Sequence, residues 1–206
     1  MEDNINNLLD YMYEKKAKRY PITETYLRES NGEWKNLYFS ILCLFIDDIT
    51  EQQRFYFERL LEGVGSKKDI FYYLKISDVE TELKINSFIN RIDGKDNKND
   101  KKFIRDQNIS QKNTSDRIDV QKYYFLIDAF ILMYFSENEE EYFDFYATWI
   151  QLLGLSLGEV DHILKIAKMI IIQDAEELKR ELNSILPRYE KLYMIKDTLY
   201  KDYICN

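Results

Sequence analysis

Three aspartates are the best candidates for metal or acid–base chemistry in this sequence. Asp47 and Asp48 are adjacent and separate one apolar run from the next, and Asp128 interrupts a later apolar run. Carboxylates held close together can ligate Mg²⁺ or Ca²⁺, or raise one another's pKa for acid–base work. Aspartate also bonds the local backbone where helices end and begin. We therefore predict a turn between two helices at Asp47 and Asp48, with a metal site shared with Asp128 as the competing hypothesis.

Asp128 allows two structural interpretations of its own. The segment 123–135 that contains it is otherwise apolar. If Asp128 faces the core, it needs a hydrogen-bonding or charged partner, because an unpaired buried charge is costly. It could equally lie on a polar stripe of its helix together with Lys122.

The densest acidic cluster follows that segment directly. Its members are Glu137, Glu139, Glu140, Glu141 and Asp144. Carboxylates in the first turn of a helix are favoured by the helix dipole, so the cluster predicts a solvated helix start. Recognition of a protein partner, or weak cation binding, is the functional alternative.

His162 is the only histidine of the chain, and Glu159 precedes it by one helical turn. One histidine without a cysteine cluster or HExxH spacing is a poor indication of zinc. We expect a histidine on a helix surface or between two helices. The sequence also lacks a glycine-rich phosphate loop, so nucleotide hydrolysis is not supported.

Helices must position all of these side chains. Apolar residues recur at helical spacing along most of the chain, and 6 glycines and 2 prolines are too few for the turns of a many-stranded sheet. Gly63, Gly65 and Gly154 lie where helices are expected to stop. Capping boxes of the form S/T-x-x-E/Q predict helix starts near 51, 78, 137 and 157. These boxes are Thr50 with Gln53, Ser77 with Glu80, Ser136 with Glu139, and Ser156 with Glu159.

The fold class that follows is all-α, a compact multi-helix bundle. A polar linker or flexible loop at 93–118 separates a helical half at 1–92 from a second half at 119–206. Both halves run from an apolar helix through acidic residues into a capped helix and a glycine. An internal duplication would produce this order, and so would helical periodicity alone. We expect the two halves to pack together as one domain.

Charge and cysteine content narrow the class of protein further. The formal net charge of −8 disfavours binding to nucleic acid, and no basic patch is visible in the sequence. Cys43 and Cys205 form no recognisable disulfide framework, which indicates the cytoplasm. Residues 1–20 do not form a signal peptide, and no segment reaches the roughly 18 to 20 apolar residues of a membrane span. Membrane association would therefore require a partner.

Two stretches carry a family resemblance: LFIDDITEQQRFYFERLLEGVG at 44–65 and WIQLLGLSLGEVDHILKIAKMII at 149–171. They resemble the two halves of TerB-like domains, the helical fold named for a bacterial tellurite-resistance protein, over about 34–75 and 119–186. The sequence differs from the family pattern at Asp48, where a glycine often stands, and at Gln53, where glutamate is frequent. The resemblance implies a helical module of bacterial stress and phage-defence systems that acts through partners rather than as an independent enzyme.

Three function hypotheses follow. The preferred one is a non-enzymatic protein-interaction or sensing module, with no cofactor or a weakly bound divalent cation, whose acidic helix start meets a protein partner. The second is a metal-dependent hydrolase, which requires Asp47, Asp48 and Asp128 to converge in one pocket. The third is an acidic decoy that competes with nucleic acid for a basic protein, which requires a continuous carboxylate-lined surface. The sequence leaves the partner and the oligomeric state open.

Overall fold

The computed structural model describes residues 32–46, 48–92, 111–137, 139–172 and 174–203. Within the helices, only the backbone is described for 111–120, 139–141, 197, 198 and 200–203. The described ranges contain helices and no strand, which confirms the all-α prediction. The helices are α1 (Gly32–Leu42, continued by a 3-10 turn at Cys43–Phe45), α2 (Glu51–Gly63), α3 (Ile70–Ser77), α4 (Thr81–Ile92), α5 (Gln111–Tyr134), α6 (Glu139–Leu152), α7 (Leu157–Ile172), α8 (Ala175–Ser184) and α9 (Glu190–Tyr203).

Two of the predicted helix starts lie where their capping boxes place them. α2 begins at Glu51 directly after Thr50, and α7 begins at Leu157 directly after Ser156. α6 begins at Glu139, slightly later than the predicted start near 137. The glycine stops are also correct: Gly65 and Gly154 follow α2 and α6 with φ of +67° and +63°, a left-handed backbone that favours glycine.

The predicted helix start near residue 78 is wrong. Ser77 is the last residue of α3, and its hydroxyl donates to the Leu74 carbonyl at 2.7 Å instead of capping a new helix. Glu80 lies in the left-handed region with φ of +54°, so residues 78–80 form a turn and α4 begins at Thr81. A capping box requires an extended backbone at its first residue, which the end of α3 does not provide.

α5 is the central helix of the bundle. It packs against α1, α2, α4, α6, α7 and α9, so that one hydrophobic core joins elements from both predicted halves. The Phe125 ring of α5 lies 4.7 Å from the Phe88 ring of α4 and 5.0 Å from the Trp149 ring of α6, measured between centroids. Edge-on and tilted aromatic packing of this kind adds to the free energy gained by burying the rings.

The boundaries of the chain's halves are only partly described. α5 begins at Gln111, inside the segment 93–118 that the sequence predicts to be a linker, while 93–110 lies outside the described residues. The division into two halves and their duplication therefore stay predictions. No described helix is long and apolar enough to cross a membrane.

Candidate functional site

Asp128 lies in the core, on the face of α5 that meets α1 and α2. Its side chain is 1% exposed. The Tyr38 hydroxyl from α1 donates to Oδ2 at 2.9 Å, and the Tyr56 hydroxyl from α2 donates to Oδ1 at 2.9 Å. The interpretation of Asp128 as a residue of the polar surface stripe is therefore wrong, and the core interpretation with bonded partners is correct.

This arrangement explains how an apolar helix accommodates a carboxylate. Burying the group removes its hydration, and hydrogen bonds from two hydroxyls offset part of that cost. Because Tyr38 and Tyr56 come from different helices, the bonds to Asp128 also restrict how α1 and α2 lie against α5. The geometry gives Asp128 a structural role in the packing of three helices.

The other two metal candidates are in a different environment. Asp48 is exposed in the turn between the 3-10 turn and α2, whereas Asp47 lies outside the described residues. Among the described residues, no three His, Cys, Asp or Glu side chains are grouped so that they could hold a metal ion. Convergence of Asp47, Asp48 and Asp128 stays a prediction.

A buried polar junction lies where α2 begins, and we call Thr50 and Gln53 the α2 junction. The capping box is complete: the Gln53 amide N–H donates to Thr50 Oγ1 at 3.1 Å, and the Thr50 N–H donates to Gln53 Oε1 at 3.1 Å. Gln53 Nε2 then donates to the Leu132 carbonyl at 2.9 Å, and Thr50 Oγ1 donates to the Phe135 carbonyl at 3.0 Å. The cap of α2 thus also satisfies carbonyls at the end of α5.

A second polar junction lies where α7 begins, and we call Ser156 and Glu159 the α7 junction. Glu159 Oε2 accepts from the Ser156 N–H at 2.9 Å and from the Ser156 hydroxyl at 2.8 Å. Glu159 Oε1 accepts from the Tyr123 hydroxyl of α5 at 2.6 Å. Burial by itself raises the pKa of Glu159, but the bonds from Tyr123 and Ser156 outweigh it and leave the pKa below its ordinary value.

His162 lies between helices, as one of its two predicted placements has it. Its Nδ1 is 2.5 Å from Glu181 Oε1 of α8, and its ring packs edge-on against Tyr189 at 5.7 Å between centroids. Glu159 bonds Ser156 and Tyr123 instead of joining His162. The histidine therefore links α7 to α8 and to the residue before α9.

The acidic cluster lies at the start of α6, as the helix-start interpretation expects. Glu137 and Asp144 are exposed, and Phe143 between them is 57% exposed. The side chains of Glu139, Glu140 and Glu141 lie outside the described residues. Phe145 in the same turn points inward, with its ring 4.9 Å from that of Phe45. We call Glu137, Phe143 and Asp144 the α6 start.

The sequence did not reveal the tyrosines that donate hydrogen bonds to Asp128 and Glu159. Tyr38, Tyr56 and Tyr123 occupy apolar positions of helical patterns, so the sequence indicates only core aromatics. The available signal was indirect: an aspartate in an apolar run requires a donor, and a buried tyrosine hydroxyl requires an acceptor.

Comparison of the chain with models of protein families, with curated proteins and with solved structures gives no match.

Proposed function

We propose that this protein is a non-enzymatic interaction module of a bacterial stress or phage-defence response, and that the α6 start is the surface that its protein partner recognises. The TerB-like resemblance of 44–65 and 149–171 supports the module class. The observation that carries the interaction is the α6 start itself.

The α6 start combines two features that favour recognition. A phenylalanine with more than half of its surface in water gains free energy when a partner covers it, because apolar area is then removed from water. Glu137 in the turn before α6 and Asp144 next to Phe143 in the sequence are exposed carboxylates, and they favour a partner with basic side chains. Interface centres rich in aromatic residues with a charged rim are typical of specific protein complexes.

The second part of the proposal concerns the trigger. Exposed carboxylates at a helix start are hard oxygen ligands, so a divalent cation can bind there weakly and alter the affinity for the partner. The protein then responds to the cation by a change in its affinity for the partner, and not by catalysing a reaction. The α6 start would be sensitive to cation concentration, while the Asp128 contacts in the core would not.

The test is affinity capture from the native cell, with and without a divalent-cation chelator. The wild-type chain should recover a reproducible protein partner. The variant with Glu137→Lys and Asp144→Lys should lose that partner, because both rim charges are reversed. Glu33→Lys with Glu190→Lys is the matched control: these residues are exposed in the first turns of α1 and α9, and the change in net charge is the same.

Three outcomes would overturn the proposal. They are recovery of no reproducible partner, equal loss of the partner in the control variant, and catalytic turnover that disappears in Asp47→Ala. The last result would favour the metal-dependent hydrolase.

A further inference from the structure

The outer face of α3 combines exposed aromatic rings with lysines, in a chain whose formal net charge is −8. Phe71 is 53% exposed and Tyr72 is 37% exposed. Lys67 and Lys75 are exposed beside them, and Lys68 is half-buried. We call Lys67, Lys68, Phe71, Tyr72 and Lys75 the α3 surface. Its lysines form a local basic patch that is not visible in the sequence.

Internal contacts hold the α3 surface in place. The Lys68 ammonium lies 3.8 Å from the centroid of the Tyr72 ring, and it donates to Asn36 Oδ1 at 3.3 Å. The Arg54 guanidinium of α2 lies 5.4 Å from the centroid of the Phe71 ring. The nearest acidic residue in sequence, Asp69, caps α3 by accepting from the Tyr72 N–H at 2.9 Å. Lys68 and the rings of Phe71 and Tyr72 are thus positioned before any partner arrives, which lowers the entropy cost of binding.

The α6 start is the chemical complement of the α3 surface on the same chain. It carries an exposed phenylalanine between exposed carboxylates, whereas the α3 surface carries exposed aromatic rings between exposed lysines. Both sets of side chains are exposed in the folded chain, so they do not cover each other within one copy. Opposite charge around apolar centres is the arrangement that steers and orients two surfaces toward each other.

We propose that the α3 surface docks the α6 start of a second copy of this chain. The contact is heterologous, because the two surfaces differ, and it joins copies head to tail or closes a ring. Phe143 of one copy packs against Phe71 and Tyr72 of the next. The carboxylates of the same α6 start, Glu137 and Asp144, face Lys67 and Lys75. This inference rests on the proposed function, since it names a copy of the chain as a partner of the α6 start.

The test is sedimentation velocity of the full chain over a range of protein concentrations, with two complementary variants. One variant carries Lys67→Glu and Lys75→Glu, and the other carries Glu137→Lys and Asp144→Lys. Each alone should self-associate roughly tenfold or more weakly than the wild type, because like charges then face each other. An equimolar mixture should associate again. The intact α6 start of the first variant then meets the intact α3 surface of the second, and the two reversed surfaces are also opposite in charge.

Salt and a matched control separate specific docking from general repulsion. Wild-type self-association should weaken between about 0.1 M and about 1 M NaCl, as the screening length falls from about 10 Å to about 3 Å. Lys168→Glu with Lys191→Glu makes the same change in net charge at exposed residues of α7 and α9, and should associate like the wild type. Circular dichroism checks that all variants keep their helices.

The inference is overturned if the wild type stays monomeric at every concentration, if the mixture does not associate, or if the control dissociates as the α3 variant does. Binding of a fluorescent oligothymidine by a monomeric wild type, lost in the Lys67 and Lys75 variant, would reassign the α3 surface to single-stranded nucleic acid. A monomeric chain that still captures its cellular partner through the α6 start would overturn this inference alone. Self-association without any captured partner would overturn only the proposed stress-response function.

Discussion

The α2 and α7 junctions use the same local motif in opposite ways. Both begin a helix with a hydroxyl residue and complete a capping box three residues later. Gln53 of the α2 junction is fully buried, while Glu159 of the α7 junction is only partly so. Each of these two side chains also reaches α5, so both junctions anchor a capped helix to the centre of the bundle.

The group that each junction meets on α5 explains why one residue is an amide and the other a carboxylate. Gln53 faces the Leu132 carbonyl, which can only accept, so the side chain must donate. Glu159 accepts from the Tyr123 hydroxyl at 2.6 Å, and its other oxygen faces the Ser156 N–H, which can only donate, so a carboxylate that accepts at both oxygens suits the site. A carboxylate at position 53 would place two acceptors together in the core, which is why glutamine suits this position.

The largest expected effect is that of Gln53→Glu. The ionised carboxylate would be buried, would lose the donor to the Leu132 carbonyl, and should lower the free energy of unfolding at pH 7 by about 3–5 kcal/mol. Urea denaturation monitored by circular dichroism measures this loss. Burial raises the folded-state pKa of the new carboxyl above its ordinary value of about 4.3, so the deficit should shrink as the pH falls through that raised pKa. It should be smallest below about pH 4, where the protonated acid can donate as glutamine does.

Gln53→Met separates the charge from the lost hydrogen bonds in that measurement. It keeps similar volume without a charge, and should cost about 1–3 kcal/mol with little dependence on pH. If Gln53→Glu were as stable at pH 7 as the wild type, the α2 junction would not require a donor to the Leu132 carbonyl.

Asp128→Asn tests a third polar contact of α5 and should have an intermediate effect. The amide offers one acceptor oxygen, so the Tyr38 or the Tyr56 hydroxyl must turn from donor to acceptor. We expect the free energy of unfolding to fall by about 1–3 kcal/mol. The matched control is Asp48→Asn in the exposed turn, where the change should stay within about 0.5 kcal/mol. Equal effects at the two positions would contradict the structural role of Asp128.

The smallest expected effect is that of Glu159→Gln, about 0.5–1.5 kcal/mol near pH 7. Because the folded-state pKa of Glu159 lies below its ordinary value of 4.5, its contribution is present above that value and is lost as the pH falls through the folded-state pKa. The stability difference between wild type and variant should therefore narrow in acid. Urea denaturation at several pH values measures it.

Tyr123→Phe sharpens the same test, because it removes the hydroxyl and keeps the ring. The pKa of Glu159, followed by NMR titration, should rise in this variant toward its ordinary value. An unchanged pKa would mean that the Ser156 contacts and the nearby Lys122 charge account for the shift without Tyr123.

Much of the fold could be predicted because local chemistry encodes it. The starts of α2 and α7 follow from capping hydroxyls that bond their own backbone, and the ends of α2 and α6 lie beside glycines. Ser77 with Glu80 matches the same S/T-x-x-E/Q pattern but does not start a helix, because Ser77 is already part of the preceding helix. The four residues of the motif do not determine the backbone conformation of its first residue, which depends on the segment that precedes it.

The sites were less predictable, because their partners are distant in the chain. Asp128 is distinguished in the sequence as a charge in an apolar run, yet its donors Tyr38 and Tyr56 look like ordinary core aromatics. The α3 surface was missed for the opposite reason: its lysines are few, and only folding shows that they stand beside exposed rings.

The sequence by itself determined that this chain is helical, where several of its helices begin and end, and that a carboxylate interrupts an apolar run. These properties depend on interactions within about one or two helical turns. Tertiary structure alone decided that Asp128 faces two tyrosines, that Gln53 must donate and Glu159 must accept, and that acidic and basic aromatic surfaces occur on one chain. Hydrogen-bond direction and burial depend on which helix is the neighbour, and only the packing around α5 sets that.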